Sequence, residues 1–275
     1  MNYASDFRRM AREALQGNWR TAVLTGFVGS LMGASLWSSG GSSGSSNSSG
    51  SSAGEDLFYQ MDGETLQLLA AILMVLAVVL ILWGIVVFVI SGAAKFGYAI
   101  FNLNLVDGKE ARFSDLFSQF GRIGSGIIMN LLVGLYTFLW SLLFIIPGII
   151  KSYSYSMTPF ILAEHPEISE NEAITRSRHL MDGNKWRLFC LMFSFIGWEL
   201  LISAPFLVCF IVLISLLTMG SSIAFASLCC LLSFVLLFVG QLFLVPYQQA
   251  SLAAFYRDIS GEPVQDNRTL PGEVI

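Results

Sequence analysis

Residues 65–94 read TLQLLAAILMVLAVVLILWGIVVFVISGAA, a run without a single charged side chain. Crossing roughly 30 Å of hydrocarbon takes about 20 apolar residues in a helix, and this run exceeds that length. It is read as a transmembrane helix, and it sets the class of the whole chain. The rest of the 275 residues agree: 55% are hydrophobic and only 12% charged. A soluble domain carries roughly 25% charged residues, and half of that cannot hydrate the surface of a globule this large. A net charge of −4 also argues against nucleic acid as a partner, since no basic face is available to neutralise a run of phosphates.

Four further apolar runs lie outward from this one, at residues 19–37, 127–150, 188–217 and 228–246. The first has Trp19 and Trp37 at its ends, where interfacial aromatic anchors belong. Lys and Arg near span ends mark the cytoplasmic side. Arg8, Arg9 and Arg12 precede residues 19–37 and Arg20 lies at their start, and Lys95, Lys109, Arg112 and Arg122 follow residues 65–94. Arg176, Arg178, Lys185 and Arg187 lie between residues 127–150 and 188–217, and Arg257 and Arg268 are in the tail. Residues 38–64 hold no Lys or Arg but four acids, Glu55, Asp56, Asp62 and Glu64, and so belong outside.

The basic segments on either side of residues 127–150 both belong inside, which requires an even number of crossings between them. Pro147-Gly148 supplies the turn, because proline interrupts a helix interior and glycine suits a reversal. Residues 126–146 then form one span and residues 149–163 a short return span. The expected architecture is all-α: a polytopic membrane helical bundle of six transmembrane helices in three hairpins. It forms one integral membrane domain over residues 1–275, with both termini cytoplasmic. This leaves 14 of the 15 basic residues inside. The exception, Lys151, lies near the outer turn, where its stem lets the ammonium snorkel to headgroups. No cleavable signal peptide is evident in the polar, arginine-rich first residues, so the first span is expected to stay attached.

Residues 38–54, SSGGSSGSSNSSGSSAG, have nothing to bury and are expected to form a disordered extracytoplasmic loop. The basic segments look amphipathic. Residues 5–16 place Phe7, Met10, Ala11, Ala14 and Leu15 on one helical face, with Arg8, Arg9 and Arg12 opposite and Gly17 as the stop. Such a helix is expected to lie in the membrane interface and favour anionic headgroups. Ser169-Glu170-Asn171-Glu172 is a capping box opening a helix that stops at Gly183. Phe113-Ser114-Asp115-Leu116-Phe117 opens a shorter amphipathic stretch. REALQGNWR at residues 12–20 and RHLMDGNKWR at residues 178–187 repeat one pattern: surface helix, Gly-Asn break, then Trp19 or Trp186 at the mouth of a span. A unit of interface helix, span, outer turn and span, used three times, accounts for it.

Several pieces combine into a recognisable set. They are Arg8, Ala11, Arg12, Leu15, Gly17, Asn18 and Trp19; Glu172-Ala173-Ile174 with Ser177, Leu180, Met181, Gly183 and Phe189; Ser194-Phe195-Ile196-Gly197-Trp198; and Pro246-Tyr247 with Phe255-Tyr256. Together they resemble the domain of unknown function 975 family, over nearly the whole chain. Residues 159–189 are also similar to membrane domains attached to some glycerophosphodiester phosphodiesterases, whose soluble catalytic domain has no counterpart here. The resemblance implies a polytopic protein of the Gram-positive bacterial plasma membrane, and implies no reaction.

Glu199 is the residue most suggestive of chemistry. Counted from Leu188 at about 1.5 Å per residue, it lies roughly 16 Å deep. A carboxylate there costs at least about 2.5 kcal/mol against lipid, so it belongs in the bundle interior. One reading is a proton- or cation-linked step in transport; the other is a structural hydrogen-bonding group. Asn130 and Gln241 read as helix–helix hydrogen bonds more readily than as ligand contacts. Lys151 has two options, headgroups or an ion pair with Glu199. His165 and His179 fall in a cytoplasmic connection and read as solvated. Cys190, Cys209, Cys229 and Cys230 show no metal or redox spacing and read as buried small hydrophobes. Matches to G-x-S-x-G occur only in the Ser/Gly loop, without the strand and helix that motif needs. No catalytic, metal or cofactor constellation is apparent. The expectation is a non-enzymatic envelope protein acting through lipids, a protein partner or its own copies, with a small transporter as the alternative.

Overall fold

The computed structural model describes residues 4–34, 63–218 and 224–261, and the Ser/Gly loop at 38–54 lies outside them. Among the described residues all regular structure is helical. The elements are α1 (Ala4–Leu15), α2 (Trp19–Leu31), α3 (Gly63–Val106) and two 3₁₀ turns (Phe113–Phe117, Phe120–Arg122). Then follow α4 (Ile123–Leu143), α5 (Ile145–Tyr155), α6 (Thr158–Glu164), α7 (Glu170–Leu180), α8 (Lys185–Thr218) and α9 (Ala224–Ser260).

The long helices have two halves of different character. At 1.5 Å per residue the 44 residues of α3 extend about 66 Å, twice the hydrocarbon thickness. Its apolar residues from Ala70 to Val86 are exposed, whereas Ala93, Ala94, Phe96, Tyr98 and Phe101 are buried. Helix α9 changes character between exposed Phe243 and buried Leu244. The core therefore sits at one end of the bundle, where Phe7, Phe160, Phe195 and Phe255 join the buried half of α3. The opposite ends present leucine, isoleucine, valine and phenylalanine outward, the surface a bilayer covers. Among the described residues four helical stretches, Gln67–Val106, Phe113–Leu143, Lys185–Leu216 and Ser227–Ser260, are long and apolar enough to cross a membrane.

The other two expected spans are shorter. Helix α2 has 13 residues and α5 has 11, about 20 and 16 Å respectively. Gly33, at φ +69°, ends α2, with the Ala34 amide bonded to the Gly29 carbonyl. The expected return span, residues 149–163, is divided between α5 and α6. The reversal comes at Phe144, extended at φ −158° and ψ 148°, and not at Pro147-Gly148. Pro147 instead occupies the first turn of α5, where a missing amide hydrogen costs nothing. Gly148 allows a close approach: a β-carbon there would stand 2.9 Å from Ser141 Cα. Lys151 Nζ lies 4.6 Å from the Trp140 ring and the Tyr155 ring 6.2 Å from that of Tyr136. Pairs 141/148, 140/151 and 136/155 define an antiparallel hairpin of α4 and α5.

The hairpin returns the chain to where it left. Arg122, ahead of α4, donates to the carbonyls of Leu162 (2.9 Å) and Pro166 (3.3 Å). At this same end the Phe7 ring meets Phe255 edge-on at 5.3 Å and Arg187 pairs with Asp258. Helix α1, the close of α3, α6, the start of α8 and the close of α9 thus meet together.

The two sequence repeats share a local geometry. Gly17 (φ +88°) and Gly183 (φ +77°) adopt the left-handed conformation that favours glycine. Asn18 and Asn184 each donate an amide three residues back, to Leu15 and Met181, and each carbonyl accepts the amide four residues on, from Ala22 and Leu188. Ser169 caps α7 by accepting the Glu172 amide at 3.3 Å, whereas the Glu172 carboxylate accepts from Arg176 at 2.8 Å instead of closing the expected capping box. One expectation is corrected. The apolar face of α1 does not lie bare for lipid: Phe7, Ala11 and Leu15 are fully buried, covered by α8 and α9. Helical spacing identified the face, but not what covers it.

Candidate functional site

Glu199 meets α9. Gln241 Nε2 donates to one carboxylate oxygen at 2.5 Å and Gln248 Nε2 to the other at 2.8 Å. The two glutamines lie two helical turns apart and bracket the level at which α9 passes from exposed to buried. Gln241 was singled out in the sequence, whereas Gln248 was not, since a Gln-Gln pair beside Tyr247 carries no marking of its own. Lys151 does not pair with Glu199; its ammonium covers the Trp140 ring. Among the described residues no cation pairs with this carboxylate.

A cavity of about 200 Å³ reaches Glu199 from between α5 and α8, lined by Tyr153, Phe189, Phe193, Phe195 and Gln248 among others. Phe195 is buried, whereas Phe193 is 61% exposed, so the cavity opens on the outward apolar face of α8. Below it the aromatic row continues: Phe189 stacks on Phe193 at 5.9 Å and on Trp186 at 5.1 Å.

Glu199→Leu removes the acceptor of two amides. Leaving buried donors unsatisfied costs about 1–3 kcal/mol per group, so a clear fall in Tm in detergent is expected. Glu199→Gln can restore both bonds if one neighbouring amide turns over, and is expected to fall far less. Equal melting of wild type and the Leu variant would show that the two bonds do not hold α8 to α9.

Asn130 bridges α4 to α3: its Oδ1 accepts from Lys95 Nζ and its Nδ2 donates to Ser91 Oγ, both at 3.0 Å. Lys95 is buried, although its place in the basic tally suggested a solvated residue. Arg257 was likewise counted only as a tail charge. It forms two bonds to Asp107, at 2.8 and 2.7 Å, and a third to Glu164 at 2.5 Å, while Tyr256 donates to Glu164 at 2.7 Å. This network ties the ends of α3, α6 and α9. The only sequence signal for it is an arginine and an aspartate each terminating a long apolar run. A shallow cleft of about 440 Å³ beside it is lined by Glu164, His165, Arg176, His179 and Tyr256.

Of the other expected residues, Arg9, Arg12 and Arg20 are exposed at this polar end, as is Trp186, whereas Arg8 and Trp19 are half-buried. The Arg8 carbonyl accepts the Tyr247 hydroxyl at 3.2 Å, and Trp19 packs against Phe243. The four cysteines are free and half-buried rather than fully enclosed. Among the described residues no three His, Cys, Asp or Glu side chains are grouped to hold a metal ion.

Long helices with bare apolar halves, joined through one buried polar end, define a multi-pass helical membrane protein. Residues 142–262, covering α5 to α9, match the family model described as Protein of unknown function (DUF975). No curated protein and no solved structure matches the chain.

Proposed function

We propose that this is a non-enzymatic protein of the bacterial plasma membrane, acting through anionic lipid and a protein partner at its basic end. In this reading the polar end of the bundle is cytoplasmic and the α4–α5 hairpin, with α6, returns the chain to it, giving six passes. The observation that carries it is the placement of exposed Arg9, Arg12 and Arg20 beside exposed Trp186 at the end where the helices are bound together. Basic residues near an anionic surface contribute about 1 kcal/mol each. Changing all three arginines to Gln is expected to weaken the affinity for phosphatidylglycerol in mixed micelles by on the order of 100-fold. Unchanged affinity would remove the lipid part of the proposal.

The cavity reaching Glu199 favours a second reading, cation-linked transport. Here Glu199→Gln abolishes activity while folding persists, because the amide keeps the shape and cannot ionise. A phenotype that survives this change leaves Glu199 a structural group only.

A further inference from the structure

We propose that the recess between α5 and α8 binds the ammonium head of a cationic amphiphile, with Glu199 as its counter-charge and aromatic rings as its walls. The inference is independent of whether the basic end contacts lipid.

The recess has one charged lining residue, and it is an acid. The others are aromatic or apolar apart from the Gln248 amide. Aromatic faces attract cations through the ring quadrupole, and quaternary ammonium groups are taken by such aromatic cages. The chain's own nearby cations are committed elsewhere: Lys151 to Trp140, and Arg187 to Asp258 and the rings of Phe7 and Phe255. Glu199 receives only neutral amides, one on each oxygen. A carboxylate oxygen has two acceptor positions, so capacity remains.

Size and opening narrow the ligand. About 200 Å³ is below the roughly 300–1,000 Å³ of pockets that enclose a drug-sized molecule. It suits a headgroup with its chain lying outside. Phe193 and Ile196 at the mouth are 61% and 46% exposed on the apolar side of α8, where an alkyl tail finds hydrocarbon. A soluble anion meets the Glu199 carboxylate as a like charge here.

The test is equilibrium binding of radiolabelled octyltrimethylammonium to the purified full chain in maltoside micelles, with octyl sulfate as the matched anion. Wild type is expected to show saturable binding of the cation, and octyl sulfate only unsaturable partitioning. Glu199→Gln is expected to weaken the cation by about tenfold or more, the effect of deleting the one charge in a mostly apolar recess. Phe193→Leu keeps apolar surface but removes a ring, and is expected to weaken it about two- to fivefold. Gln at Arg9, Arg12 and Arg20 together leaves it unchanged, which separates this site from the basic end. Unsaturable uptake that is equal for wild type and both recess variants would overturn the proposal, as would equal binding of octyl sulfate. Should the Glu199 variant fail to fold, unchanged affinity in Phe193→Leu overturns it alone.

Discussion

Gly92→Ala is expected to lower stability by about 3 kcal/mol or more, at or above the upper range for overpacking. Helices α3 and α4 cross at this residue with backbone against backbone. A β-carbon on Gly92 would stand 2.3 Å from the Gly126 carbonyl carbon and 2.5 Å from its Cα, and one on Gly126 would stand 2.6 Å from Ala93 N. No side chain lies between them to rotate away, so relief requires the helices to separate. Small residues permit such approach in membranes, where packing rather than hydrophobic burial holds helices together. Separation would also stretch the Lys95–Asn130–Ser91 bridge, which lies within about one turn of the crossing on each helix. Gly84→Ala and Gly134→Ala lie on the same two helices with nothing within 4 Å of the added carbon. Thermal unfolding in detergent should place both near wild type and Gly92→Ala well below. Three indistinguishable melting curves would show that the crossing is not tight.

Arg257→Met is the second large effect, expected to cost about 3–5 kcal/mol, as when one partner of a buried ion pair is removed. Arg257 and Asp107 each have side chains only 7% exposed, and Glu164 is 19% exposed. The guanidinium faces both carboxylates, with two parallel bonds to Asp107, a geometry lysine cannot reproduce. Without it Glu164 loses its cation and enclosed Asp107 keeps only the half-exposed Lys109 ammonium at 3.1 Å. The network itself is a different matter, because desolvation offsets most of its attraction and apolar replacements of similar volume are often neutral or better. Combining Arg257→Met with Asp107→Leu and Glu164→Met should therefore recover much of the loss in Tm. A triple variant as unstable as the single one would mean that the network contributes more than charge pairing.

How much of this was legible beforehand depends on the range of each interaction. The apolar runs, the Ser169 cap and the Gly17 and Gly183 stops are local, and each follows from the residue type at its own position. Glu199 was recognisable as an interior group because a charge within an apolar run must find partners. Its partners lie 42 and 49 residues away, and Asp107 lies 150 from Arg257; such pairings depend on how helices pack, which periodicity does not encode. The same limit explains α1, whose apolar stripe fits a membrane and a protein surface equally well. Pro147-Gly148 misled by one turn, since proline marks the start of a helix as readily as its interruption. The hairpin's real hinge, Phe144, has no distinguishing composition.

The central claim is that all the basic connections lie on one side of the membrane, so that the chain crosses an even number of times between α3 and α8. Single cysteines placed at Gly50, Gly108, Glu170 and Gly261, in a background with the four native cysteines replaced, would report this through a membrane-impermeant maleimide. In intact cells only position 50 should label; positions 108, 170 and 261 should label together after the inner face is opened. Labelling of position 170 from outside, with 108 protected, would contradict the returning hairpin and leave an odd number of crossings.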